Sequence, residues 1–443
     1  MKNIFTDMRK FVYGHALILI LCVAFLLRVF ELHWFIIEYS EFYRDYFAVS
    51  GILHGHFLLL GPPSILGGFH FGVLYYYFLA PFLLLFGMHP QGILFGGIAA
   101  SVTSVWLLYL LVSEWADHRT ALLAALLCAI SGYGVFLASY ISNPNIMPMF
   151  VLWFLLVLTR ILRGSERWVD WLLLGLSFGC ATQLHATAMA ILPLLLISTL
   201  AIRKVRMTAK QLVIFLGTFF LTYLPYIVSE ALHGFANLKD LAHLSSSTLG
   251  RGQYLVNAGS LLKFGLATLT PFQTPSYDYT MLQPNWLSWF VAAVALIFLG
   301  SVLWNLLRMP SAVVARPSMP KFSPESKAIL WSWLCATIVV SLCYKRYDRY
   351  YYLIILWPMP MIVLAWALSW LRSRLNVFVA ALLFFVVISA TQIFSIYSSM
   401  PRSSWSDFYP AYYGFYVRYP KTLEIGSPGN FPMFTVDDGR VIH

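Results

Sequence analysis

The chain has 443 residues, 60% hydrophobic, 17% aromatic and only 11% charged, with a formal net charge of +11. A soluble domain carries about 25% charged residues, so the composition excludes an ordinary water-soluble fold and points to an all-α polytopic membrane protein. The positive balance is no argument for nucleic acid, because Lys and Arg in a membrane protein mostly record orientation and contact with anionic headgroups.

In chain order, hydropathy predicts spans near 14–37, 91–112, 121–140, 146–162, 169–185, 186–202, 211–231, 286–307, 328–344, 351–371 and 376–397. The first run is too long for a signal-peptide core and lacks a small-residue cleavage site, so it is expected to remain as an anchor. Inside it, Arg28 is expected to snorkel or to pair with Glu31. The five cysteines all fall in or beside apolar segments, and no metal spacing or disulfide framework is apparent.

The segment 71–88, FGVLYYYFLAPFLLLFGM, is long enough to cross but is punctuated by Gly72 and Pro81. Charge decides its placement. Four basic clusters, at Arg160–Arg167, Arg203–Lys210, Arg308–Lys327 and Arg372–Arg374, share the side of Lys2, Arg9 and Lys10 only if 71–88 does not cross. The positive-inside rule therefore predicts an interfacial or re-entrant 71–88 and about 11 spans, with the N-terminus inside and the C-terminus outside. Residues 1–397 then form one transmembrane domain with outer loops at 38–90 and 232–285, and 398–443 is a short outer tail.

The inner loops are short and basic, whereas the outer pieces (the two loops, a basic turn at 344–350 and the tail) are mostly long and aromatic and together hold most of the 18 acids. Three of these, Glu38, Glu41 and Asp45, crowd into the exit of the first span. On a continuing helix they share one face, where mutual repulsion and partial burial raise a carboxylate pKa, as a general base or metal ligand requires. Arg44 is placed to neutralise part of the cluster. The alternative is that these acids simply mark the water boundary.

The order of motifs resembles that of the GT-C glycosyltransferases of family 39. EFYRDYFAVSGIL, LLLGPPS and GGFHFGVLYYYFLAPFLLLFG resemble that family's first outer loop, with Glu41 at its leading acid and Asp45 at the second acid. YISNPNIMP (140–148) and QLHATA (183–188) resemble outer turns, and DRYYYLIILWPMP (348–360) resembles a later segment. The match covers roughly 10–200 well and 340–375 more loosely. Phe42 stands where the family carries an acidic or amide residue, and Asn145 stands where many members carry Asp.

The resemblance implies an inverting glycosyltransferase that takes a sugar from a polyprenyl-phosphate donor and passes it to a glycan, lipid or protein acceptor at the outer face of the plasma membrane. Glu41 is then the first candidate for the base and Asp45 the second. Arg349, with Lys345 and Arg346, is the candidate cation set for the leaving phosphate, since guanidinium binds phosphate oxygens bidentately. His70, Tyr76, Asn143, Asn145, His185 and Tyr350 are candidate substrate-binding residues; each also has a plain reading as a turn or interface residue. The resemblance fixes no cofactor; a divalent metal is the one candidate. Membrane lipids are the remaining expected partners. The competing readings are a transporter or lipid-carrier flippase, which would show acids or broken helices near the midplane, and a non-catalytic lipid-binding relative.

Overall fold

Backbone polar groups in hydrocarbon must be satisfied within their own segment, which makes helices of the long apolar runs. The computed structural model describes residues 2–30, 40–64, 69–139, 141–248, 322–343, 352–372, 375–399, 436–437 and 440–441. Among these, six helices are long and apolar enough to cross a membrane, or up to eight if each of two bent pairs is one span. The protein is thus a multi-pass helical membrane protein. The expected span at 286–307 lies outside the described residues.

The helices are α1 (Lys2–Val29), α2 (Ser40–Leu53), α3 (Leu74–Leu85), α4 (Gln91–Trp115), α5 (His118–Ile130), α6 (Gly132–Ser139), α7 (Met147–Leu162), α8 (Trp168–Thr182), α9 (Ala186–Arg203), α10 (Ala209–Thr222), α11 (Leu224–Leu232) and α12 (Ala236–Thr248). After them come α13 (Pro324–Cys343), α14 (Pro358–Leu371) and α15 (Leu375–Ser399). Short 3₁₀ turns at Asn143–Ile146 and Ile354–Leu356 lead into α7 and α14, and a two-residue antiparallel ladder pairs Val436 with Val441. The helix α4 packs on α5 and α7, α8 on α10, and α9 on α13.

The α8–α10 contact is close because Gly175 and Gly179 lie one turn apart on the same face. A Cβ on either would sit 2.1–2.2 Å from the Thr218 or Thr222 hydroxyl, the small-xxx-small arrangement by which membrane helices approach.

The two expected spans at 121–140 and 211–231 are each broken. The pair α5–α6 bends by 54° and α10–α11 by 64°. Arg28 explains how the first break is held, and corrects the expectation for that residue. It does not snorkel: it is 2% exposed and folds inward. Glu31, its other expected partner, lies outside the described residues. Its guanidinium donates to the carbonyls of Cys128 (3.3 Å), Ala129 (2.8 Å) and Ala24 (3.0 Å) and to the Ser101 hydroxyl (2.8 Å). The last carbonyls of α5 have no helical partners, and they carry the negative end of the helix dipole, so a cation there satisfies both needs.

One end of the bundle is tied by ion pairs: Glu114 with Arg163, Asp117 with Arg372 (3.2 Å), and Arg203 with Glu325 (2.5 Å). The opposite end carries the loops. Both ends of α3 lie there, for the Leu74 amide donates to the Gln183 side chain at the end of α8, and the Met88 carbonyl accepts from Tyr46 just before α4 begins. With 12 residues α3 is about 18 Å long, well short of a hydrocarbon core of about 30 Å. The expectation that 71–88 does not cross agrees with this geometry.

Candidate active site at the loop-bearing end

The acidic stretch becomes α2, which starts at Ser40. Glu41 and Asp45 are therefore one turn apart on one face, while Glu38 lies outside the described residues. Their surroundings differ sharply. Asp45 is fully buried. Its Oδ1 accepts from Arg44 Nε and Nη2, each at 2.8 Å, and its Oδ2 accepts from the Tyr75 hydroxyl at 2.8 Å. Arg44 thus neutralises Asp45 by direct contact. The Tyr76 hydroxyl is buried beside them, within the field of Arg44 and Asp45, without forming a hydrogen bond of ordinary geometry.

Burial pushes the Asp45 carboxyl up to about 6, against the opposing pull of Arg44 and the Tyr75 hydrogen bond. Glu41 remains partly exposed. Its carboxyl is also raised above the ordinary range by burial, with Arg44 pulling the other way. Desolvation outweighs the cation in both cases. Phe42 is 3% exposed, so the position after the leading acid faces the core, where an unpaired charge would be costly.

The segments 61–64 and 69–72 pair antiparallel, with Gly61 N–H to Phe71 O and Phe71 N–H to Pro62 O both at 2.9 Å. The second segment presses on the turn after α8, where Gly72 N–H donates to the Gln183 carbonyl at 3.2 Å. A Cβ at Gly72 would fall 2.2 Å from the Gln183 side chain, so only glycine permits the approach. Gln183 in turn donates to Thr222 O at 2.9 Å, at the break between α10 and α11.

His185 caps α9. Its Nδ1 accepts from the Thr187 amide at 3.3 Å, which assigns the proton of the neutral ring to Nε2. Burial lowers its pKa to about 4, so the ring is neutral at physiological pH. Phe71 stacks on one side, with centroids 5.8 Å apart, and Tyr352 packs against it at 5.7 Å. Asn143 donates to the Leu184 carbonyl, joining the 143–146 turn to the same junction. Asn145, 5% exposed, lies in that turn.

The structure therefore gathers His70, Asn143, Asn145 and His185 around one junction, and Glu41, Asp45 and Tyr76 around Arg44. The two groups are linked through the 69–72 segment and α3, and the His70 imidazole feels the Arg44 charge. Lys345, Arg346, Arg349 and Tyr350 lie outside the described residues. Sequence reasoning missed Tyr75 as the partner of Asp45, although the YYY run flagged it. It also missed Gln183, and Asn237 in α12, for which no local signal exists.

Both Asp45 oxygens are already engaged by Arg44 and Tyr75, and among the described residues no three His, Cys, Asp or Glu side chains converge to hold an ion.

Residues 71–228, roughly a third of the chain, match the family model described as dolichyl-phosphate-mannose-protein mannosyltransferase. No curated protein sequence matches the chain. Among solved structures, ArnT from Cupriavidus metallidurans bound to undecaprenyl phosphate is similar at a TM-score of 0.55 and 12% identity, over 93% of this chain and 81% of that one. The Archaeoglobus fulgidus oligosaccharyltransferase tethered with an acceptor peptide is similar at a TM-score of 0.50 and 15% identity, over 97% of this chain and 61% of that one. The same archaeal enzyme, AglB, in complex with an inhibitory peptide and a dolichol-phosphate reaches 0.51 at 14% identity. The chain spans about three fifths of the archaeal enzyme's length. Taken with the helical architecture and the loop-bearing end described above, these likenesses make the protein a GT-C fold membrane protein that resembles glycosyltransferase family 39.

Proposed function

We propose that this protein is an integral-membrane glycosyltransferase that moves a sugar, with inversion, from a polyprenyl-phosphate donor to an acceptor hydroxyl at the outer face of the plasma membrane. The observation that carries the reading is the contrast within α2. Asp45 is sealed behind Arg44 and Tyr75, whereas Glu41, one turn away, is a partly exposed residue with no such seal, and burial raises the basicity of its carboxyl.

In the proposed reaction Glu41 takes the proton of the acceptor hydroxyl. The acceptor oxygen bonds to the anomeric carbon, and the bond from that carbon to the phosphate oxygen breaks on the opposite face. The polyprenyl phosphate leaves with the electron pair. A base tuned upward serves here because proton transfer is most effective near the working pH. Asp45 acts as a positioning residue that holds Arg44. The leaving phosphate gains charge as the bond breaks, so cations aimed at it stabilise the transition state above the ground state. Arg349, helped by Lys345 and Arg346, remains the assignment for that role; Tyr352, three residues after Arg349, lies against His185. The neutral His185 ring and the amides of Asn143 and Asn145 suit sugar hydroxyls. The polyprenyl phosphates bound by the similar structures support this donor class.

The test is Glu41→Gln in nanodiscs. Transfer should fall by about 10²–10⁴-fold while undecaprenyl phosphate binding, read by native mass spectrometry, persists. Near-normal turnover in that variant would overturn the base assignment. A wild type that binds no polyprenyl phosphate would overturn the donor class.

A further inference from the structure

The second expected outer loop (232–285) enters the described structure through α12, and one of its side chains reaches into the site. The Asn237 Oδ1 accepts from the His70 backbone N–H at 2.5 Å, and its Nδ2 donates to the His70 carbonyl at 3.1 Å. The same Nδ2 donates to the Tyr226 hydroxyl. One primary amide therefore satisfies both backbone groups of a residue 167 positions away, as a neighbouring strand would. Asn237 is 7% exposed, so water competes little for these bonds.

The clamp is itself held. Glu230, 5% exposed, accepts from the Leu238 amide at 3.1 Å, and its carbonyl accepts from the Phe235 amide at 2.8 Å. Phe235 takes a left-handed φ of 60°, which costs energy for a bulky residue and persists only where neighbours enforce it. The turn between α11 and α12 is thus built to present Asn237 at one place.

What it grips matters for the site. His70 precedes Phe71, which stacks on His185, and Gly72, which docks on Gln183. The opposite edge of the 69–72 segment is taken by 61–64. The His70 side chain is half-buried, and its ring lies in the fields of Arg44 and of Asp240, one turn after Asn237. We propose that Asn237 is a positioning residue: by holding both backbone groups of His70 it fixes the 69–72 segment and, with it, the imidazole that meets the phosphate head of the lipid donor. The first helix of the second outer loop is on this view a wall of the site. The phosphate contact rests on the proposed function; the clamp does not.

The test uses the full chain in nanodiscs, with amide exchange over 69–72 and undecaprenyl phosphate affinity as readouts. Asn237→Ala should speed exchange at these amides by about tenfold, as expected for one lost hydrogen-bonded unit, and leave α7 unchanged. Affinity should fall several-fold in Asn237→Ala and in His70→Ala, with no further loss in the double variant, because both act through one imidazole. Tyr226→Phe, a milder change, should shift both readouts in the same direction by less, and Leu238→Ala, whose side chain is exposed on α12, should shift neither. Unchanged exchange over 69–72 overturns the clamp. Additive affinity losses overturn the link to the His70 side chain. Wild type that fails to bind undecaprenyl phosphate overturns the donor reading, and the exchange measurement still decides the clamp.

Discussion

The Tyr75 hydroxyl donates a 2.8 Å hydrogen bond to Asp45 Oδ2, tying the interfacial helix α3 to α2 across 30 residues of chain. Because Arg44 occupies the other oxygen, the carboxylate serves as the joint between α2 and α3. Tyr75→Phe should lower stability by about 1–3 kcal/mol, the usual cost of removing a partner from a buried charged acceptor. Thermal unfolding in detergent reads it, and an unchanged melting temperature would remove Tyr75 from this joint.

The pH dependence of that joint has a definite sign. Burial raises the Asp45 carboxyl to about 6, above its unfolded value of about 4. The folded chain therefore holds the proton more tightly, and this group's contribution is fully present below pH about 4 and lost as pH rises through about 6. Asp45→Asn should flatten that part of the stability profile. Melting curves of the two proteins across pH 4–7 that stay parallel would refute the assignment.

Transfer should respond to pH in the opposite direction. On the proposed mechanism Glu41 must be ionised to accept a proton, and burial raises its pKa. Activity should fall on the acid side at a pH above the ordinary glutamate range. Arg44→Gln removes the cation that opposes this shift, so the acid limb should move to still higher pH. The pH–rate profiles of wild type and variant check it.

At Gly72 the prediction is steric. A methyl group there would meet the Gln183 side chain at 2.2 Å. Gly72→Ala should cost about 1–3 kcal/mol, as overpacking does, and Gln183→Ala in the same chain should recover part of it. Unfolding of the single and double variants measures the coupling.

Arg28 is the remaining test. Its guanidinium reaches the Ser101 hydroxyl and three carbonyls at once, whereas a lysine ammonium is a point charge that lacks the planar fork. Arg28→Lys should keep the charge and still destabilise by about 1–3 kcal/mol through unsatisfied carbonyls. A fully stable Arg28→Lys would show that the charge alone holds the α5–α6 break.

Several features were legible in the sequence because they depend on local composition. Apolar run length identified the multi-pass helical class, and the placement of Lys and Arg predicted that 71–88 stays at one end, where both termini of α3 are found. Glu41 and Asp45 were legible as a pair because helical periodicity alone puts them on one face. Their division of labour was not. It depends on Tyr75 and on depth beneath the surface, and desolvation is a property of everything packed around a carboxyl rather than of its neighbours in sequence.

The breaks at Ser131 and Tyr223 illustrate the same boundary. Hydropathy reads each as one span, because a bend changes no side chain's polarity. Arg28 was visible only as a charge in an apolar run; its partners come from α4 and α5, about 73 and 100 residues away. Asn237 carried no signal, since one amide in a long loop resembles any other until folding sets it against a backbone with two free groups. The sequence alone therefore determined the helical membrane class, the expected sidedness and the residues worth watching. Tertiary structure decided which carboxylate is sealed and which is available, because burial and hydrogen-bond satisfaction are set by contacts that only the packed helices bring together.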